Sequence, residues 1–202
     1  MNRLIISIAA CLLTIIPVFA QNLSEAEVTS TMYRAFELHK AKRYAEALDA
    51  FLIVGVNVEP SKSEVERQVY VCSQTMACAC HYSIEQYPEG YQLAKKLIAG
   101  KLADSEKKDI YRYYVLNGYM IACDFIQKDE NRNAEYQRGR ELLLEIAPYA
   151  DEQLKGYVLP KIPLTWYFEG ASNFEKQMFE KALVCFNNAF NGFQELGLTS
   201  NA

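Results

Sequence analysis

The residues that punctuate a chain are scarce here: 9 glycines and 6 prolines in 202 residues. From Ser24 onward there is no period-two alternation and no glycine-rich hairpin turn, which excludes a sandwich or barrel of short strands. Lys and Arg form no run, and the formal net charge is -4. A nucleic-acid surface needs a basic face to neutralise phosphates, so that class is excluded too. Histidines number only 2, His39 and His81. Metal binding needs three or four convergent ligands, and neither histidine has that company in sequence. Serine-nucleophile motifs, phosphate-binding loops and carboxylates paired within an apolar run are missing as well. These absences argue against an enzyme, a metal, a cofactor and a small-molecule substrate.

What the chain does have is apolar bulk. Half of it is hydrophobic, with 14 Tyr and 10 Phe, a composition for packed elements rather than for disorder. The first twenty residues are a separate material. Met1-Asn2-Arg3 gives a positive start, Leu4 to Phe19 is almost wholly apolar or small, and Pro17-Val18-Phe19-Ala20 places small residues before Gln21. This is the layout of a cleavable secretory signal. It predicts an exported bacterial chain, placed in the periplasm, on the cell surface or outside the cell. One alternative is a membrane anchor through residues 4–20, which is near the lower limit of length for a span. Another is a lipoprotein box at Ile8-Ala9-Ala10-Cys11. Removing the leader keeps Cys72, Cys78, Cys80, Cys123 and Cys185. An odd set cannot all pair internally. Each falls in an apolar helical pattern, so all five are expected to be core thiols.

Helical spacing recurs along residues 21–202. From Phe179, the residues Ala182, Leu183, Phe186, Ala189, Phe190 and Phe193 trace one helix face. An aromatic followed three residues later by a small residue, and usually seven later by a bulky apolar one, appears four times. The sets are Tyr44-Ala47-Phe51, Tyr91-Ala94-Ile98, Tyr136-Gly139-Leu143 and Phe179-Ala182-Phe186. Each follows another apolar helical stretch, with polar breaks at Lys40-Ala41-Lys42-Arg43, Glu85 to Gly90, and Gln127 to Asn133. Such self-similarity marks a repeat architecture. The small residue has a physical reason: two helices approach closely only where a side chain is short. The expected fold is all-α, a solenoid of about four helical hairpins covering 24–57, 63–100, 105–148 and 163–196. Pro160 and Pro163 predict a short helix over about 151–158, a turn, and then the Trp166 helix.

The last unit carries a motif. Trp166-Tyr167-Phe168-Glu169-Gly170 followed by Phe179, Ala182, Phe186 and Ala189 resembles a tetratricopeptide (TPR) repeat. Glu169 stands where leucine is usual, Asn173 where tyrosine is usual, and no proline closes the unit. The first unit matches through Ala35, Leu38, Tyr44, Ala47 and Phe51. The middle two match only in their second helices, at a period above the usual 34 or so residues. The resemblance implies that Tyr44, Ala47, Phe51, Trp166, Gly170, Phe179, Ala182, Phe186 and Ala189 pack the repeats. It also implies a concave groove lined by first helices and holding a protein or peptide. In register, its residues would be Met32, Phe36 and His39 in unit one, and Tyr167, Ala171 and Phe174 in unit four, with Tyr119 in unit three. With its leader, the chain is also similar to the front regions of exported Bacteroidetes-type proteins in which TPR arrays precede a caspase-like (CHAT) protease domain or a membrane sensor kinase. The resemblance thus implies a partner-binding scaffold. The alternative is the regulatory front of a larger protein whose catalytic domain lies beyond residue 202.

Three stretches invite chemistry. Cys80-His81 suggests a thiol–imidazole pair, but helix neighbours point about 100° apart. Glu141 and Glu145, flanked by Arg138 and Arg140, read as a solvated face with ion pairs. Tyr111-Arg112-Tyr113-Tyr114 with Tyr119 is either a ligand surface or core packing between units. Finally, a repeat stack exposes an apolar face to its next neighbour. The sequence after Leu196 is too short for a capping helix, so either the chain continues in a longer protein or the C-terminal helix hides that face by self-association.

Overall fold

A computed structural model describes residues 23–127 and 132–198. The expected leader, residues 1–20, and the middle of the third polar break lie outside the described residues. Among those described, the chain is all α-helical: α1 Glu25–Lys40, α2 Tyr44–Asn57, α3 Glu64–Ser83, α4 Tyr87–Ala99, α5 Asp104–Gln127, α6 Arg132–Ile146, a 3-10 turn Ala147–Tyr149, α7 Glu152–Glu175 and α8 Phe179–Glu195. None is long and apolar enough to cross a membrane. The chain divides into two compact units, Met1–Gln74 and Thr75–Ala202, with the division falling inside α3.

Helix starts are written locally. Ser24 accepts from the Glu27 amide while the Glu27 carboxylate accepts from the Ser24 amide, a reciprocal cap for α1. Ser63 accepts from the Glu66 amide ahead of α3, and Asp151 from the Leu154 amide ahead of α7. Helix ends repeat one design. After α1, α3 and α7 the residues Lys42, Glu85 and Gln177 take φ of 60°, 62° and 60°. The next amide in each case (Arg43, Gln86 and Met178) donates back to Leu38, His81 and Asn173. This left-handed closure satisfies the last carbonyls of the helix and turns the chain directly into the next one. Gly197, at φ 66°, closes α8 in the same way.

The turns correct the expected register of the second hairpin. Aligned on Lys42, Glu85 and Gln177, Tyr44 matches Tyr87 and Phe179, while Ala47 matches Gly90 and Ala182. The set expected at Tyr91-Ala94-Ile98 therefore begins four residues earlier, at Tyr87. The expected break over Glu85 to Gly90 shrinks to its first residues, because Pro88 sits in the first turn of α4, where its missing amide costs nothing.

In the first unit α1 packs on α2, burying Ala35, Leu38, Ala47, Leu48, Phe51 and Val54. In the second unit each helix from α4 to α8 packs on the next, and α5 also touches α7. Its core includes Ile110, Val115, Ala122, Leu143, Ile146, Val158, Ala182 and Ala189.

Two further expectations need correcting. Residues 152–175 form one helix, although Pro160 and Pro163 lie inside it. A proline ring presses on the carbonyl four residues back. For Pro160 that residue is Gly156, which has no side chain, and Pro163 is buried against Gly192 of α8, so packing supports the helix at Pro163. The thiols also divide. Cys78, Cys80 and Cys185 are buried, Cys123 is half-buried, and Cys72 is exposed, because α3 turns that side to solvent near its middle.

Ala182 tests the hairpin contact. It is buried at the α7–α8 interface, so Ala182→Leu should cost about 1–3 kcal/mol by overpacking. Glu180→Ala, on the exposed side of the same helix, should leave the melting temperature within a degree or so. Equal melting curves for the two variants would show that α8 does not approach α7 through Ala182.

Candidate apolar groove on the first unit

A concavity within the first unit runs between α1 and the start of α3. Its deeper end, about 400 Å³, is lined by the apolar Leu23, Val28, Val58, Val65 and Val69 and by the polar Glu25, Thr29, Asn57, Lys62, Ser63 and Glu66. Its shallower end, about 290 Å³, shares Val28, Thr29 and Val69 and adds Met32, Tyr33 and Phe36. Tyr33 and Val65 are exposed. From Glu25 to Phe36 the groove follows roughly three turns of α1, about 16 Å at 1.5 Å per residue.

Its shape follows from the helices that form it. Phe36 lies edge-on to the buried Phe51, ring centroids 5.3 Å apart, which fixes the shallow end. At the deep end the Leu23 amide donates to Asn57 Oδ1 at 3.0 Å, tying the chain ahead of α1 to the end of α2. Gln74 of α3 lies against Gly55 of α2: a β-carbon there would meet the end of the Gln74 side chain. Two of the three charged residues pair with each other. Lys62 meets Glu66 at 3.1 Å, and the other Glu66 oxygen accepts from the Glu59 amide. The hydrogen bond from Lys62 lowers the Glu66 carboxyl below its ordinary range, and the same bond raises the Lys62 ammonium. Charged residues border one end of the groove and apolar ones most of the other, so it offers apolar contact area next to charge.

Met32 and Phe36, expected in a groove, line this one. His39 instead lies against the first ring of the following helix, Tyr44, at 5.1 Å. The same clasp spans the next turn in Tyr82 and Tyr87, at 5.7 Å, and the last in Phe174 and Phe179, at 5.5 Å. Phe174 and Tyr167 are exposed, and Ala171 is half-buried. Tyr119 is half-buried, and burial pushes its hydroxyl up to about 12, with help from a hydrogen bond to Cys123. Of the packing residues, Ala47, Phe51, Gly170, Ala182 and Ala189 are buried, while Tyr44, Trp166 and Phe186 are half-buried. Phe179 is exposed, since the first residue of α8 has nothing packed over its outer side. Sequence reasoning gave the hairpin as 63–100 without naming Val65 as a groove residue. The signal present was Ser63 followed three residues later by Glu66, a helix-start pattern.

Comparison of the chain with known protein families, with curated proteins and with solved structures gives no match. Local chemistry must carry the reading. Cys78 and Cys80 are buried, and burial pushes both thiols up to about 12, the opposite of an activated nucleophile. His81 lies 3.0 Å from Gln86 Oε1. Among the described residues, no three His, Cys, Asp or Glu side chains converge as a metal site requires.

The Tyr-rich stretch of α5 divides between core and surface. Tyr114 is buried and stacked on Tyr91 at 4.9 Å, while Tyr111 lies against Tyr149 at 5.0 Å. Both buried hydroxyls donate to Glu145 Oε1 at 2.8 Å, and Lys95 reaches the same oxygen at 2.6 Å. Glu145 therefore belongs to an inter-helix node rather than to an ion pair with its flanking arginines. Burial alone would raise its carboxyl, but Lys95 and the two hydroxyls outweigh this and hold it below the ordinary glutamate value. A depressed carboxyl contributes stability above its unfolded pKa, and that contribution is lost as pH falls through the folded value. The melting temperature should thus decline on acidification below about pH 5, and Glu145→Gln should flatten part of that decline. An unchanged acid profile in the variant would remove the node as its source.

Proposed function

We propose that this chain is an exported scaffold of TPR-like helical hairpins, and that the α1–α3 groove binds a protein partner through an amphipathic helix. The observation that carries the reading is an apolar stripe of Val28, Met32, Phe36 and Val69, with Tyr33 and Val65 exposed beside it, along about three turns of α1. The groove's walls are helices whose backbone groups are already paired, and its end along Met32 and Phe36 is lined mainly by apolar side chains. An extended peptide laid there would leave amides and carbonyls unpaired, each costing on the order of 1–3 kcal/mol. A helix brings its own hydrogen bonds and needs only an apolar stripe. The recurring left-handed turns and the aromatic clasps across them support a repeat of one hairpin design. The leader supports export.

Site-specific photocrosslinking tests this. A crosslinker placed at Tyr33 should capture a discrete partner from envelope extract. One placed at Tyr157, on α7, should not, and Met32→Glu should abolish capture from position 33 while leaving the helical circular dichroism unchanged. Capture that is indifferent to Met32→Glu, or equal from both positions, would sink the proposal.

A further inference from the structure

We propose that the last hairpin, α7–α8, is a self-association surface, and that a second copy of this chain covers it around a two-fold axis with the two α8 helices antiparallel. Phe174 on α7, and Phe179, Leu183 and Phe190 on α8, are 57%, 57%, 61% and 58% exposed. Tyr167 adds a ring that is 49% exposed. The patch is continuous: the Phe174 and Phe179 rings are 5.5 Å apart, and Tyr167 meets Phe186 at 5.8 Å. Aromatic side chains carry about 150–250 Å² each, so these five expose on the order of 600 Å². That reaches the upper end of what a monomer ordinarily leaves open. It also approaches the roughly 800 Å² per partner of a stable interface, and the flanking amides Asn187 and Gln194 extend it.

Pattern and charge point to a second copy as the occupant. An isologous interface must match its own surface. Leu183, Phe186, Phe190 and Phe193 are separated by 3, 4 and 3 residues, a spacing that reads the same in both directions. An antiparallel copy therefore sets Leu183 against Phe193 and Phe186 against Phe190, apolar against apolar along the whole contact. At about 100° per residue, the charged residues of α8, Glu180, Lys181 and Glu195, fall well off this face. On this face of α8, no like charges oppose each other on self-pairing. The exposed rims, Asn187 and Gln194, are uncharged amides that can donate and accept equally.

Sedimentation equilibrium of the purified chain should return twice the chain mass, relaxing to a monomer on dilution. Leu183→Glu and Phe190→Lys, both at exposed positions, should each abolish the dimer and leave helical circular dichroism unchanged. Mixing Leu183→Glu with a Phe193→Lys chain should restore a dimer, because the antiparallel arrangement sets position 183 against position 193 of the other copy. A wild-type chain that stays monomeric at every accessible concentration overturns the proposal. So does a dimer indifferent to both variants, or a pair of monomeric variants that fail to recombine. If a variant loses helical signal, concentration-dependent amide protection of α7 and α8 in the wild type decides the matter: no change on dilution overturns it.

Discussion

Gly90→Val should cost about 3 kcal/mol and lower the melting temperature by roughly 9 °C for a chain of this size. Gly90 is buried where α4 meets α5. A β-carbon there would lie 2.7–2.8 Å from the oxygen, carbon and nitrogen of the Asn117 amide. Asn117 is fully buried and has little freedom to retreat. Its nitrogen donates to the Tyr113 carbonyl at 2.8 Å and approaches that of Cys78 at 3.5 Å, so displacing it would strand buried polar groups. Valine's small gain in helix propensity over glycine is well below this. Thermal denaturation of Gly90→Ala in wild-type and Asn117→Ala backgrounds checks the cause. The cost of the alanine should shrink once Asn117 is shortened, and equal costs in both backgrounds would place the crowding elsewhere.

Glu169→Ala should destabilise by about 3–5 kcal/mol, the cost of leaving one member of a buried ion pair without its partner. Arg140 Nη1 donates to Glu169 Oε2 at 2.9 Å, and the two side chains are 8% and 18% exposed. The guanidinium lies over the Trp166 ring, its carbon 3.3 Å from the ring centroid, so α6 and α7 are joined through a cation stacked on an aromatic and closed by a carboxylate. Replacing both charges with Arg140→Met/Glu169→Leu should recover most of the loss, since well-packed apolar pairs often match a buried ion pair. Chemical denaturation midpoints of the three chains decide. A double variant as unstable as Glu169→Ala would mean that the charges do more than satisfy each other.

These two sites show where sequence reading reached and where it stopped. The all-α class was legible because period and composition are local: Phe179, Ala182, Phe186 and Ala189 announce a helix face without reference to the rest of the chain. Asn117 and Arg140 were not legible. A buried amide or guanidinium looks like a surface residue until its partners, 27 and 29 residues away in Gly90 and Glu169, are brought against it. Arg140 was read with Glu141 and Glu145 as a solvated face for that reason. Pro160 and Pro163 misled in the opposite direction, because the cost of proline in a helix is local whereas Gly192, which accommodates Pro163, comes from the next helix. Register named Met32 and Phe36, which line the first-unit groove; it did not name Val65, because a helix start is set by a cap and not by the apolar stripe that follows it.

The left-handed turns at Lys42, Glu85 and Gln177 have a kinetic consequence. Each is closed by hydrogen bonds reaching back no more than five residues, so a hairpin can form before distant chain arrives. In the second unit helix contacts join neighbours or next-neighbours in sequence, so little loop-closure entropy must be overcome at any one step. Such a chain is expected to fold in milliseconds or less. Its rate should be more sensitive to Lys42→Gly, Glu85→Gly or Gln177→Gly than the exposed positions of these residues suggest. Glycine enters the left-handed region without the penalty of about 1 kcal/mol that a side chain incurs there, so each turn would form earlier and the refolding limb of a stopped-flow chevron would rise.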